Sequence, residues 1–449
     1  MDITMRANEK MDKHITKIWV ILFLAFSFAM MLAMPIGRVP DEHSHLRQAY
    51  IIADGQWWQS MKTRTVSYPK NLWNFGNNEI TVKELQEMHH SFDFSSEYVV
   101  GRVLTNTAVY PPLGYVPQAV GIKLASMFTS NGIIISYSAR IANWCCIFLV
   151  LLWALKRIPA YKHLMVFLTL LPMNLQEMIS VSADGMTTAL VFALTAFVLD
   201  AIHRKPVFKK RDYILIAALA VGLVGWKVIY FPVIFLLFLI PEECFGSKRA
   251  KRTAVIWIAA CVGLLLTIWG GICIRMLFQP AQSEGGREST TLQALNSLRT
   301  QPFAYFRLLC RALQNEFLHY IKCIFGYALS WLNIYPNLVF VYAGMVLCAM
   351  FTLADDTIAL PHRARICFVT ASCINVMVVF LTLYIWWTPA GSDQILGFQG
   401  RYLMPLLLTL LSAVKPSRRY AHKWIPVLYV GMCIINCGIL MDILKVTYC

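Results

Sequence analysis

Apolar residues run in long blocks along this chain, and polar residues gather in the segments between them. The blocks cover about 18–34, 109–128, 133–155, 162–180, 185–202, 212–224, 228–241, 253–277, 333–354, 366–387, 402–414 and 424–444. Runs of this kind match the ~20 residues a helix needs to cross the ~30 Å hydrocarbon core. The pattern predicts an all-α polytopic integral membrane protein with about 10–12 transmembrane helices. No internal repeat or low-complexity linker interrupts it, so a single membrane domain over 1–449 is expected. The first block follows a basic segment and imitates a signal peptide. It lacks a small-x-small cleavage site, ends in Met34-Pro35 and precedes many further spans, so it reads as a retained first helix.

Composition agrees: 58% of the 449 residues are hydrophobic and only 14% charged, which excludes a soluble enzyme. The net charge of +16 changes the picture through its distribution. Of 40 lysines and arginines, at least 22 lie in six short segments. These hold Arg6, Lys10, Lys13 and Lys17; Lys156, Arg157 and Lys162; Arg204, Lys205, Lys209, Lys210 and Arg211; Lys248, Arg249, Lys251 and Arg252; Arg363 and Arg365; and Lys415, Arg418, Arg419 and Lys423. Short basic segments flanked by membrane runs are expected on the cytoplasmic side. No separate basic domain exists, so nucleic acid is not an expected partner. The 13 cysteines lie mostly inside apolar runs, without CxxC or His/Cys zinc spacing, and read as small apolar filler.

With those segments inside, residues 1–17 form a cytoplasmic N-terminus and 35–108 a first extracytoplasmic loop, with short juxtamembrane helices at 42–55 and 81–92. A polar stretch of that length is usually functional. A second outer segment, 278–325, contains an interfacial helix at 302–325, with Phe303, Phe306, Leu309, Leu313 and Phe317 apolar. Two full crossings at 109–128 and 133–155 would put the basic segments at 156–162 and 203–211 outside. One run is therefore expected to stop short, and Pro111-Pro112 and Pro117 point to the first.

The most informative residues are Pro40-Asp41-Glu42-His43-Ser44-His45, past the outer end of the first helix. They read either as a solvated loop or as a general base or metal site, since carboxylates at membrane depth are often functional. Asp41 and His45 have i, i+4 spacing, but no second carboxylate–histidine cluster is near in sequence, so a divalent ion stays open and no cofactor is certain. Asp184 reads as a helix N-cap or a site acid. Lys227 is either a snorkelling amine or a point charge for phosphate, and Arg401 either a headgroup anchor or a bidentate phosphate ligand. Acids at 41, 42 and 184 and cations at 227 and 401 all fall outside. That combination suggests displacement of a phosphate leaving group by a hydroxyl that needs a base.

Pro40-Asp41-Glu42-x-x-His45, Tyr110-Pro111-Pro112-Leu113-x-Tyr115-x-Pro117, Leu171-Pro172-Met173 with Ser182-Ala183-Asp184, Lys227-x-x-Tyr230-x-Pro232 and Gln399-Gly400-Arg401-Tyr402-x-x-Pro405 occur in this order. Over about residues 30–410 the chain thereby resembles the bacterial membrane proteins grouped as domain of unknown function 2142. That family is similar to the GT-C fold, polytopic glycosyltransferases that use polyprenyl-phosphate-linked sugars. The resemblance implies a catalytic acid at Asp41 with Glu42 beside it, and a second acid at Asp184. It further implies a lipid phosphate on Arg401 and Lys227, with His45, Tyr110, Tyr230, Gln399 and Tyr402 in support. Val39-Pro40 stands where Pro-Pro is expected, and Asp184-Gly185 where Asp-Ala is expected.

The expectation is a GT-C-like glycosyltransferase of the bacterial cytoplasmic membrane. It would move a sugar from a polyprenyl-phosphate donor to an envelope glycan or lipid-linked acceptor on the extracytoplasmic face, among membrane lipids. The alternatives are a transporter or flippase of a lipid-linked glycan and a non-catalytic envelope-assembly protein. A transporter should carry its charges near the bilayer midplane.

Overall fold

A computed structural model describes the chain except residues 1, 64, 76–79, 90, 96, 103–106, 108–109, 279–286, 355–359, 390, 415–423 and 449. The expected basic segment at 415–423 therefore lies outside the described residues, as do the side chains of Arg6, Lys10 and Lys13. The protein is an all-α polytopic membrane bundle. Six described helices are long and apolar enough to cross a membrane: His14–Ala33, Gly132–Arg157, Asp184–Arg204, Lys248–Arg275, His362–Trp386 and Ile425–Tyr448. Three shorter apolar helices, Val228–Leu239, Leu338–Ala354 and Gly400–Leu411, complete the set.

The helices that build the site are α1 (Asp2–Ala33), α2 (Glu42–Ala53), α3 (Val116–Ser126), α4 (Gly132–Arg157), α5 (Lys162–Thr169), α6 (Pro172–Met178), α7 (Asp184–Arg204), α8 (Lys210–Trp226) and α9 (Pro302–Ile324). Helix α7 is apolar on nearly every face and buried along most of its length, as a central helix must be. Its few polar groups are satisfied locally: Thr187 Oγ1 donates to the Ala183 carbonyl at 2.9 Å, and the Thr195 and Thr409 hydroxyls meet at 2.7 Å.

Ion pairs fix one end of the bundle. Asp200, near the end of α7, meets Arg157 at 2.9 Å and Arg204 at 3.2 Å, and Asp212 at the start of α8 lies 3.9 Å from Arg157. The end of α4, the end of α7 and the start of α8 therefore share the basic end. Asp184 and Trp226 occupy the opposite one.

The run 162–180 is not one helix. Leu171 is extended (φ −60°, ψ 137°) and Pro172 opens α6, because the residue before a proline avoids helical geometry and proline has no N–H to continue the ladder. The run 109–128 becomes a 3₁₀ turn, Pro112–Tyr115, followed by α3. The 11 residues of α3 rise only about 16 Å, short of the hydrocarbon core. Helix α4 starts in the polar region instead. Asn131 caps it by accepting from the Ile133 and Ile134 N–H groups, Gly132 N–H donates to the Phe92 carbonyl at 2.6 Å, and Phe94 N–H donates to the Ser130 carbonyl at 2.8 Å. With α4 as the next crossing after α1, Arg157 and Arg204 fall at the same end of the bundle as the start of α1.

The long polar stretch folds into a cap. Strands β1 (Thr65–Pro69) and β2 (Tyr98–Arg102) pair antiparallel, Thr65 opposite Arg102, and the helix Val82–Met88 starts at a capping box between Thr81 and Glu84. Leu46, Tyr68, Phe75, Phe92, Phe94, Tyr115 and Ile122 share a second hydrophobic core beneath it. Helix α9 matches the expected interfacial helix in extent. Leu309 and Tyr320 turn inward, whereas Phe303, Phe306 and Phe317 stay exposed. The expected single apolar face is therefore split between the bundle and the surroundings.

Candidate functional site

Four segments far apart in sequence deliver one charged residue each to the end opposite the basic one. Asp41 precedes α2 in the left-handed conformation (φ 61°, ψ 2°), which aspartate tolerates better than most residues. Its carbonyl accepts the Ser44 and His45 N–H groups at 2.9 and 3.1 Å, fixing the turn. Asp184 opens α7, Lys227 closes α8, and Arg401 stands in the 3₁₀ segment Gly400–Leu406.

These residues form one linked ion cluster. Arg401 Nη2 donates to Asp41 Oδ2 at 2.5 Å, and Arg401 Nη1 lies 3.4 Å from the Pro40 carbonyl. Lys227 Nζ bonds Asp184 Oδ1, and Arg401 Nε lies 3.7 Å from Asp184 Oδ2. The Lys227 ammonium lies 5.1 Å from the Tyr402 ring centre, 5.5 Å from that of Tyr110 and 6.0 Å from that of Tyr230, within reach of cation–π attraction. Tyr230 Oη donates to the Tyr402 carbonyl at 2.9 Å, tying the two segments together. His45 Nδ1 and the Tyr115 hydroxyl are 2.7 Å apart, and the His45 ring packs 5.7 Å from Tyr110.

Asp184 does not cap its helix; its carboxylate is turned to Lys227. Lys227 does not snorkel, and Arg401 is withdrawn from the surface. Their side chains are 2% and 4% exposed, Asp184 is 11% exposed, and Asp41 is the open one at 31%. Burial works to raise the Asp41 pKa, but the Arg401 guanidinium overrides it and holds the carboxyl below its usual range. Burial pushes His45 down to about 4, with the nearby cations adding to it against Asp184 and Asp41. Its imidazole is therefore neutral at physiological pH.

Glu42 is a correction. Although adjacent to Asp41, it points into the protein and is fully buried. Oε1 accepts from Arg140 Nε at 2.7 Å and Val181 N–H at 3.1 Å; Oε2 accepts from Arg140 Nη2 at 2.6 Å and Gly37 N–H at 2.8 Å. All four acceptor sites of the carboxylate are occupied. Arg140 also donates to the Met34 and Pro35 carbonyls, so the pair ties α4 to the end of α1. Glu42 is a strut and not a reacting acid. Gln399 contributes backbone: it is half-buried, and its carbonyl accepts the Tyr402 N–H at 3.1 Å.

A divalent ion does not fit these residues. Among the described residues no three His, Cys, Asp or Glu side chains are grouped to hold one. Asp41 is engaged by Arg401, and His45 Nδ1 by Tyr115. Every described cysteine is a free thiol and none belongs to the cluster.

Two glycines permit close approaches here. A Cβ on Gly185 would come 2.7 Å from Met178 Cα and 2.8 Å from the Glu177 carbonyl, both backbone atoms. The glycine after Asp184 is thus required where alanine was expected, because α6 lies against the start of α7. A Cβ on Gly400 would lie 2.8 Å from the Tyr320 carbonyl of α9, which seats Arg401 beside that helix.

Residues 22–410 match the family model described as "Predicted membrane protein (DUF2142)". The chain belongs to this DUF2142 family. No curated protein and no solved structure matches it. The blocks that carry the family likeness supply the cluster: Asp41, Tyr110, Asp184, Lys227, Tyr230, Arg401 and Tyr402. Sequence reasoning missed Arg140, Glu177 and the turn at Ser330, where Ser330 N–H donates to Gln176 Oε1 and Ser330 Oγ to the Arg38 carbonyl. Arg140 and Glu177 carried a usable signal, since an ionisable residue inside an apolar run needs a partner or a task.

Proposed function

We propose that this DUF2142 protein is a GT-C-type membrane glycosyltransferase. It transfers a sugar from a polyprenyl-phosphate donor to an envelope glycan or lipid-linked acceptor at the extracytoplasmic face of the bacterial cytoplasmic membrane. One observation carries the reading: two buried cations and two carboxylates meet at the helix ends opposite the basic end, with only Asp41 substantially open. Arg401 and Lys227 receive the donor phosphate as it arrives along the bilayer. The planar guanidinium suits two phosphate oxygens, and the ammonium, ringed by tyrosines, supplies a point charge.

Once Arg401 turns toward phosphate, Asp41 loses the partner that depresses its basicity. It then takes the acceptor hydroxyl's proton while the oxygen attacks the anomeric carbon and the polyprenyl phosphate departs. Base catalysis of this kind contributes about 10²–10⁴-fold, and electrostatic stabilisation of the departing phosphate contributes on the same scale. His45, neutral and fixed by Tyr115, orients the acceptor side.

The test compares envelope glycans by mass spectrometry in three strains: a deletion, the deletion with wild type restored, and the deletion with Asp41→Asn at matched abundance. The reading expects one sugar decoration to vanish in the deletion and to return with wild type alone. Full restoration by Asp41→Asn would remove the base from the mechanism and leave a carrier or assembly role.

A further inference from the structure

Glu177 is a buried carboxylate that the mechanism above does not use. It sits on α6 and is 2% exposed. Among the described residues Oε1 accepts only the Gln176 side-chain amide, at 3.2 Å, and Oε2 meets no hydrogen-bond donor. Among the described residues it is in no ion pair. The charges acting on it most strongly are Arg401, then Asp184, then Lys227. From the other packed elements, the outer half of α1 brings no ionisable residue and Arg140 of α4 is committed to Glu42. Lys162 and His163 of α5 stand at the far end of that helix, the latter against the Tyr429 hydroxyl.

The other charges of the site already balance without it. Arg401 is paired with Asp41 and Lys227 with Asp184, while His45 is neutral. In the free site an ionised Glu177 is held by the fields of Arg401 and Lys227, and an arriving phosphate diester neutralises both and leaves the buried carboxylate uncompensated. Burying an unpaired carboxylate is costly enough that the group takes up a proton instead. Asp184 keeps Lys227 and Asp41 is 31% open to water, whereas Glu177 is buried and has only the fields of Arg401 and Lys227, which the phosphate neutralises. The proton therefore goes to Glu177.

We infer that Glu177 is a proton-uptake site coupled to anion binding: an anionic lipid phosphate enters the Arg401–Lys227 site together with one proton on the Glu177 carboxylate. This rests on the phosphate assignment of the proposed function but is indifferent to whether the bound lipid is then cleaved or moved. The sign follows from linkage. If the bound state holds more protons than the free state, affinity falls as pH rises, by up to about tenfold per pH unit for one full proton.

The probe is methyl farnesyl phosphate, a diester whose single charge does not titrate between pH 6 and 9, added to purified full-length protein in detergent. Wild type is expected to lose affinity by about threefold or more per pH unit across pH 7–9. Binding heats measured in two buffers of different ionisation enthalpy should show net proton uptake. In Glu177→Gln the slope flattens and the uptake disappears while binding persists. Binding with no pH slope in wild type, or with the same slope in both proteins, overturns the inference and leaves the phosphate site standing. No binding by wild type, or binding unchanged by Arg401→Ala, overturns the phosphate assignment and the inference with it.

Discussion

Adjacent residues Asp41 and Glu42 should give opposite phenotypes, and the decisive perturbation is Arg140→Met. Removing the guanidinium strips Glu42 of two charged hydrogen bonds, at 2.7 and 2.6 Å, and leaves a fully buried carboxylate with two backbone N–H groups. The Met34 and Pro35 carbonyls lose their donors as well. Breaking a buried pair from one side costs about 3–5 kcal/mol, or roughly 10²–10⁴-fold in the folded population. Replacing both partners with apolar residues of similar size is close to neutral in other buried pairs. Glu42→Leu/Arg140→Met should therefore recover much of the loss, less the share owed to the Met34 and Pro35 carbonyls. The assay is the folded fraction surviving detergent extraction and a heating series, read by fluorescence size-exclusion chromatography. Asp41→Asn runs alongside and should extract nearly like wild type, because asparagine accepts the left-handed conformation and keeps an oxygen for Arg401, which also retains Asp184 at 3.7 Å. Wild-type stability of Arg140→Met would refute the strut, and loss of Asp41→Asn protein would refute the division of labour between the two acids.

Arg401→Lys should weaken binding of a prenyl phosphate about tenfold or more, because an ammonium cannot supply the planar fork that now spans Asp41 and the Pro40 carbonyl; unchanged affinity in a titration would remove Arg401 from the site. Gly185→Ala should cut the folded yield sharply, since its Cβ would meet backbone at 2.7 and 2.8 Å, and a wild-type melting profile would contradict the packing of α6 on α7. Stability should fall as pH drops from about 6.5 to about 4. In that window His45, held near 4 by burial, binds fewer protons folded than unfolded, so the unfolded chain gains as acid is added. Melting temperatures across pH 4–8 should show this slope, and because burial pushes His43 down to about 4 as well, His45→Gln should reduce the slope without abolishing it.

The sequence by itself determined the solvent. Long apolar runs can only be satisfied in lipid as helices, so the fold class was legible locally. It also supplied Asp41, Asp184, Lys227 and Arg401, because a charge at a membrane boundary stands out against its neighbours. Which charge meets which was not legible. Asp41 and Glu42 differ by one position, yet one turns to Arg401, 360 residues away, and the other to Arg140, 98 away. That choice depends on the left-handed turn at Asp41 and on α4 reaching past the end of α1. Hydropathy likewise could not separate α3, whose Ile122 joins the core beneath the cap, from a crossing helix, because both environments bury apolar side chains. Glu177 and Arg140 were hidden for the same reason: only packing reveals whether an ionisable group in an apolar run has an opposite charge to pair with, and among the described residues it gave an ion pair to Arg140 and none to Glu177.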